Sequence, residues 1–428
     1  MTRDGFPIQW ILSRAHGHQS GTSGERFSTL EFLDIQTYLA QPEPPDGPAK
    51  ALSSLSEQAQ LERHSWDFAD SKSNRASLHS IHPYPAKFIP EIPRALIAKF
   101  PPEAGSCVLD PFSGSGTSLV EAQQAGFDAV GIDLNPIACL ISRVKTSPCP
   151  NLLGLAAARC REAASAMRDT PHDDIPNLEH WFKADISQAV GALRSVIRDT
   201  APADCQDALN LALSSIIVRV SNQDSDTRYA AVAKNVNRAQ VFDLFEESAK
   251  RIESALLARP ASGAEIHVLE RDILAVTADE LPTPVGLVVT SPPYPNAYEY
   301  WLYHKYRMWW LGHDAHKVRE REIGARAHFF GGRAKAGDFL IQMSAVFRLL
   351  DRVSTANVTI CFVVGDSKIH GHIIDNAEIL CVAAASAGFA LAGHVTREMR
   401  LNKKSFNLAH SRIRQEHVMV FKRIGMTS

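Results

Sequence analysis

Cys107-Val108-Leu109-Asp110-Pro111-Phe112-Ser113-Gly114-Ser115-Gly116-Thr117-Ser118 begins as an apolar run and ends in a glycine-rich turn. Apolar residues in succession, without alternation, mark a strand buried on both faces, as in a parallel sheet. Gly114 and Gly116 permit a tight loop opening a helix through Glu121 to Ala125, which Gly126 then stops. At such a helix start the backbone can approach a ligand closely. A phosphate-binding P-loop needs a lysine before its Thr or Ser, and Gly116 stands there instead, so nucleotide hydrolysis is disfavoured. The next apolar run, Asp128-Ala129-Val130-Gly131-Ile132-Asp133, closes on an acid about 20 positions beyond the loop, where a carboxylate can hold ribose hydroxyls. Strand, loop, helix, strand and terminal acid together point to an adenosine-containing cofactor.

Further strands are expected at Glu265–Asp272, Gly286–Thr290, Val358–Val364, Leu391–Thr396 and Val418–Lys422, with a helix near Ile374 to Ala387. Seven strands interleaved with helices predict an α/β fold with a Rossmann-like, mostly parallel sheet, its last two strands forming a C-terminal hairpin. Between the second and third strands the pattern changes to Ala-rich, charge-studded runs over Leu152–Arg168, Ser187–Arg198, Asp207–Val220 and Ala239–Leu257, a helical insertion. Its most polar stretch, Ser221–Tyr229, reads as a solvated loop. Upstream, Gln41-Pro42-Glu43-Pro44-Pro45-Asp46-Gly47-Pro48 is a linker through which no helix or central strand can run. The division that follows is an N-terminal arm or lid over 1–78, the first part of the sheet domain over 79–150, the insertion over 151–262, and the rest of the domain over 263–428.

The length of 428 residues calls for two to three folding units. No apolar run approaches the ~20 residues that span a bilayer, and Met1–Gly5 opens no signal-peptide core, so a soluble, cytoplasmic protein is expected. The seven cysteines are scattered with no C-x-x-C pair, which reads as reduced core thiols. His313-Asp314-Ala315-His316 lacks further ligands, so no metal is expected. With a formal net charge of −2, any contact with nucleic acid must come from local positive charge. Two such clusters stand out: Arg319, Arg321, Arg326, Arg333 and Lys335 in a segment over 311–340 read as a mobile loop, and Lys403 and Lys404 among the arginines near the terminal hairpin.

Val288-Val289-Thr290-Ser291-Pro292-Pro293-Tyr294 is a buried strand ending in a rigid turn. Each proline lacks an N–H, which leaves carbonyl acceptors beside a flat aromatic ring, a site suited to a planar amine such as a nucleobase. Further upstream, the prolines of His82-Pro83-Tyr84-Pro85-Ala86-Lys87-Phe88 form a stiff strap that can carry His82 and Lys87 to a ligand's anionic end.

In this order, the strap, Asp110–Thr117, Gly131-Ile132-Asp133 and Thr290–Tyr294 resemble the S-adenosylmethionine-dependent amino-methyltransferases of DNA, which modify cytosine N4 or adenine N6. The resemblance covers residue 80 to the C-terminus apart from the insertion. It implies that Phe112, Gly114 and Gly116 shape the loop under the methionine part of the cofactor. Asp110 and Thr117 would be polar contacts there, with His82 and Lys87 on the strap near the carboxylate. Asp133 would bind the ribose and Asp272 the adenine amino group, while Ser291, Pro292, Pro293 and Tyr294 receive the target base. Ser291, where adenine enzymes commonly carry Asp or Asn, points to cytosine N4. Carbon-5 methylation needs a cysteine nucleophile, and Pro148-Cys149 is far from the turn. The activity implied is site-specific methylation of a flipped cytosine in double-stranded DNA, in a restriction-modification or related defence setting with a cognate nuclease. Adenine N6 is the first alternative, followed by an RNA or protein substrate and by a non-catalytic cofactor-binding regulator.

Overall fold

The computed structural model describes residues 57–68, 78–168, 175–226, 228–281, 284–296, 298–325, 328, 336–369, 372–398 and 415–425. Its main sheet has seven strands: β1 (Cys107–Asp110), β2 (Ala129–Asp133), β5 (Ile266–Glu270), β6 (Val285–Thr290), β7 (Ser354–Gly365), β10 (Phe389–Glu398) and β11 (Gln415–Arg423). Two short hairpins complete the strands, β3 (Gln223–Ser225) with β4 (Arg228–Ala231) and β8 (Ser367–Ile369) with β9 (His372–Ile374). Across the main sheet the order is β10-β11-β7-β6-β1-β2-β5. Strands β5, β2, β1, β6 and β7 run parallel, whereas β11 is antiparallel to both of its neighbours. The predicted fold class and terminal hairpin are therefore present.

All six residues of β6 are buried, because helices cover both faces of the sheet. On one face Val108, Leu287, Val289 and Val363 pack against Ile92, Leu96 and Leu119, from the helices Glu91–Lys99 and Thr117–Gln124. On the other, Leu109, Val288, Ile360 and Phe421 pack against Phe347 and Leu380, from Ala336–Val353 and Asn376–Ala385. The alternation Val108/Leu109 and Leu287/Val288 between these clusters is the two-residue period of a pleated strand. Strand β7 extends four residues upstream of its expected start, because Ser354 pairs with Val285. Those added residues, Ser354–Asn357, have no hydrophobic signature.

Residues 57–62 form a helix that docks on β10. Gln58 Nε2 donates to the His394 carbonyl at 3.1 Å, its Oε1 accepts from the His394 N–H at 2.8 Å, and Leu61 is fully buried. This end of the segment read as an arm is thus part of the core.

The four helices expected in the insertion occur at Leu153–Ala166, Ala184–Thr200, Gln206–Val220 and Arg238–Leu257, and a short one, Leu178–Trp181, lies between the first two. They share one hydrophobic cluster with Pro136–Thr146 and with the aromatic helix Tyr300–Trp310. Ser221–Tyr229, expected as a solvated loop, instead carries β3 and the start of β4. Asp226 between them ion-pairs with the buried Arg307, which also donates to the carbonyls of Ser214 at 3.0 Å and Tyr303 at 3.1 Å. The polar composition of this stretch serves a partner presented by a distant helix. Arg307→Leu is expected to leave those acceptors unmatched and lower stability by about 2–3 kcal/mol, read from chemical denaturation.

Candidate active site

Strands β1, β2 and β5 step outward in one direction and β6 and β7 in the other, so the chain reverses direction between β1 and β6. In such sheets a crevice opens at the carboxyl ends of the strands at this reversal. A cavity of ≈ 260 Å³ lies there, lined by residues that include Asp110, Phe112, Gly114, Thr117, Asp133, Asp272 and the whole Ser291–Tyr294 turn. The cofactor loop and the acceptor turn, about 180 residues apart in the chain, therefore face one space.

Asp110 ends β1 and Thr290 ends β6, and Thr290 Oγ1 donates to Asp110 Oδ1 at 2.6 Å across the reversal. The Phe112 N–H donates to the same oxygen at 3.1 Å, which fixes the start of the loop. Burial lifts the Asp110 carboxyl to a pKa of about 6, against the opposing pull of these donors.

Glycine is required in the loop for identifiable reasons. Gly114 has φ of +48° beneath the Tyr84 ring, and Gly116 has φ of +73° at the start of the Thr117–Gln124 helix. A Cβ on Gly116 would lie 2.7 Å from Ser142 Oγ and 3.0 Å from its Cα. Ser142 Oγ in turn donates to the Gly114 carbonyl at 3.0 Å, and the buried Lys145 Nζ donates to the Ser115 carbonyl at 2.7 Å. Helix Pro136–Thr146 thus holds the loop from behind. Sequence reading missed both donors, whose only signal is a Ser and a Lys on the apolar face of a helix.

Asp133 accepts from the Gly114 N–H at its Oδ2 and the Asn135 N–H at its Oδ1, each at 2.8 Å. Burial, opposed by these two bonds, raises its pKa to about 6. A carboxylate oxygen has two lone pairs, so each oxygen keeps one for a further donor, which suits a vicinal pair of hydroxyls. Asp272 receives the Leu274 N–H at 3.0 Å and stands on the same wall with Ile273 and Leu134. The donor set fits an adenosine sulfonium cofactor: carboxylates for the hydroxyls and the amines, and apolar side chains for the ring.

The strap places its residues differently from expectation. His82 is fully buried outside the cavity wall, with Nε2 3.0 Å from Ser214 Oγ and Nδ1 2.6 Å from the Pro83 carbonyl. It anchors the strap to the insertion. Lys87 lines the cavity, yet its ammonium donates to the His79 carbonyl at 2.9 Å and the His82 carbonyl at 2.7 Å, and burial lowers its pKa to about 8. It ties the strap to itself first. Tyr84 is the strap residue that reaches over the loop, and it stacks on Tyr300 and His304 with ring centroids 5.6 and 5.1 Å apart. Gly116 likewise shapes the loop from outside the wall.

At the acceptor turn, Ser291 Oγ lies 3.3 Å from Tyr294 Oη, which also reaches Glu416 Oε1 at 3.3 Å. The Tyr294 ring is thereby tethered to β11 as part of the wall. Gly324, at φ of +73°, seats against this turn, and its carbonyl accepts the Asn296 N–H at 2.9 Å. A Cβ there would come within 3.2 Å of the Tyr294 carbonyl oxygen. Glu322 lines the same wall and accepts the Tyr300 and Trp301 N–H groups at 2.9 and 2.7 Å, capping the aromatic helix; burial pushes its pKa to about 8. No local motif distinguishes Glu322, Gly324 or Glu416.

Part of the basic 311–340 segment, read as a mobile loop, is ordered: Ala315–Arg321 is helical, with Asp314 capping it. Arg321 lines the cavity, and the Arg319 guanidinium sits 5.1 Å from the Trp301 ring centroid. Arg326, Arg333, Lys335, Lys403 and Lys404 lie outside the described residues. Among the described residues no cluster of three potential metal ligands occurs, and no helix is long and apolar enough to cross a membrane.

Residues 34–143, which include the strap, the glycine loop and Asp133, match the family model for DNA methylases of the N6/N4 type. That stretch is therefore similar to the N4/N6 DNA methylases. It is 39% identical over 84 residues to the type II methyltransferase M.MjaII of Methanocaldococcus jannaschii, covering 19% of this chain and 16% of that protein. To M.MvaI of Kocuria varians it is 29% identical over 157 residues, 34% of each chain. M.BsoBI of Geobacillus stearothermophilus is 22% identical over 295 residues, 57% of this chain and 54% of that one. The matched stretches thus span from about a sixth to about half of these relatives. S-adenosylmethionine is the cofactor of the family, in keeping with the Asp133 and Asp110 geometry.

Gly116→Ala is expected to disturb the loop, through both the left-handed backbone and the collision with Ser142. Cofactor affinity should fall at least tenfold in calorimetric titration, with a loss of stability of about 1–3 kcal/mol.

Proposed function

We propose that this chain transfers the methyl group of S-adenosylmethionine to an exocyclic amine of a base flipped out of double-stranded DNA, with cytosine N4 as the target. The observation that carries this reading is the single cavity shared by the Asp110–Asp133 cradle and the Ser291–Tyr294 turn. The type II methyltransferase relatives support it, as does Arg321 at the wall, a cation suited to a phosphate.

An exocyclic cytosine amine is a weak nucleophile because its lone pair is delocalised into the ring. Acceptors that draw on its N–H bonds favour a more tetrahedral nitrogen, a role for Ser291 Oγ and the Pro292 carbonyl that the position of both residues in the cavity wall supports. The cofactor, when bound, supplies the electrophilic methyl; the protein's part is alignment and electrostatics. The choice of cytosine over adenine rests on Ser291, which stands where adenine enzymes of the resembled family commonly carry Asp or Asn. A defence role with a partner nuclease accords with the type II relatives and belongs to the same proposal.

Mass spectrometry of nucleosides from duplex DNA incubated with the protein and isotopically labelled cofactor tests the choice directly. N4-methylcytosine is expected; N6-methyladenine alone would move the assignment to adenine, and label on RNA or protein only would remove DNA as substrate. Ser291→Ala should lower kcat about 10²–10³-fold and leave cofactor affinity within about threefold.

Cofactor binding should also depend on pH. With pKa values of about 6, Asp110 and Asp133 are ionised acceptors at pH 7.5 and become protonated as pH falls through 6. Affinity should therefore weaken below about pH 6, by up to about tenfold per pH unit for each carboxylate required, and Asp133→Asn should remove its share of that slope. Unfolding does not account for such a loss. Both folded pKa values lie above the ordinary 3.8, so the stability linked to these groups is greatest at low pH and is lost as pH rises through 6.

A further inference from the structure

Glu416 belongs to no motif, yet the fold brings it into the cavity wall behind the Ser291–Tyr294 turn. It sits on β11, with Gly365 of β7 opposite on one side and Arg397 of β10 on the other. Arg397, itself only 7% exposed, places Nε 3.3 Å from Glu416 Oε2. The other carboxylate oxygen, Oε1, accepts from Tyr294 Oη at 3.3 Å, and Ser291 Oγ is 3.3 Å from that phenol oxygen. Ser291 Oγ, Tyr294 Oη and Glu416 Oε1 therefore form a continuous line from the acceptor turn to a carboxylate paired with a buried guanidinium.

Methylation of a neutral amine produces a cationic nitrogen that must lose a proton. A serine hydroxyl cannot retain it, and the turn's proline carbonyls are poor bases. Resting on the amino-methylation reading above, we propose that Glu416 is a positioning residue that also serves as terminal acceptor of a proton relay running through Ser291 and Tyr294. The amine nitrogen gains the carbon that the sulfonium releases as a neutral thioether, and its N–H bond breaks. That proton bonds to Ser291 Oγ as the serine's own hydrogen passes to Tyr294 Oη and the phenol's hydrogen to Glu416 Oε1. Net, one proton moves from substrate to carboxylate, and Ser291 and Tyr294 end as they began.

The surroundings of Glu416 suit an acceptor. Burial raises its affinity for a proton, while Arg397 from β10, Tyr294 from the turn and the adjacent His417 act in the opposite direction; among the described residues Tyr298 also interacts with it. The two oxygen–oxygen separations exceed the usual hydroxyl hydrogen-bond length, as catalytic contacts commonly do before substrate closes the site. A tether for Tyr294 alone needs no carboxylate, since the Val363 carbonyl also lies 3.5 Å from its hydroxyl.

The test combines two measurements on the full chain. In the protein without cofactor or DNA, the Glu416 carboxyl carbon is followed by NMR against pH, and Tyr294→Phe, which removes a donor, should raise its midpoint. In single-turnover methyl transfer to duplex DNA, Glu416→Gln should slow the reaction about ten- to a hundredfold with cofactor affinity within about threefold, and should flatten the acidic limb of the pH–rate profile. Tyr294→Phe keeps the Arg397 ion pair and so guards against a folding defect; it should show the same loss, and the double variant no more than either single one. A wild-type rate, or a slowed rate with an unchanged pH profile, in Glu416→Gln would overturn the relay alone. An unmoved Glu416 midpoint in Tyr294→Phe would overturn it whatever the substrate. A moved midpoint in a wild-type chain that methylates no nucleic-acid amine would overturn the relay together with the reading on which it rests.

Discussion

One buried hydrogen bond, from Thr290 to Asp110, joins the two halves of the site. It lies where the sheet reverses direction, between a strand that leads into the cofactor loop and a strand that leads into the acceptor turn. Its short length and burial fix the separation of those two segments more firmly than either loop could alone, because strands in register have little freedom to slide. Alignment is what a direct displacement demands, so this constraint underlies the chemistry proposed for the cavity.

Around that bond the molecule is built in shells that hold loops from behind. Ser142 and Lys145 grip the carbonyls of the glycine loop, His82 pins the strap to the insertion, and Glu322 caps the helix that walls the cavity. The insertion thus supports the site directly through Ser214 and Asp226. Two of the supporting groups, Glu322 and Lys145, are buried titratable side chains whose charged forms burial disfavours. Such groups persist where backbone donors or acceptors are directed at them.

Most of the architecture is legible in the sequence. The doubly buried β1 and β6, the glycine loop and the acid closing β2 follow from patterns within about 25 residues, and the insertion helices lie within a few residues of their expected ends. The roles on the strap were legible only in outline: proline stiffness predicts a strap, but which of His82, Tyr84 and Lys87 faces the cavity depends on what packs against it. Ser221–Tyr229 was misjudged for the same reason, since a polar stretch reads as solvated until a buried arginine is known to face it.

The sequence by itself determined the order of elements, the loop and the turn, because those depend on local backbone chemistry: glycines at positive φ, prolines without N–H groups and apolar runs with a strand's period. Only the tertiary structure decided that the loop and the turn share one cavity, that Lys87 is engaged by carbonyls, and that Glu416 stands behind Tyr294. Those facts arise from strand order and long-range packing. Glu416 is separated from Tyr294 by 122 positions, and nothing in the local pattern of a terminal edge hairpin reveals which of its polar residues will be turned inward.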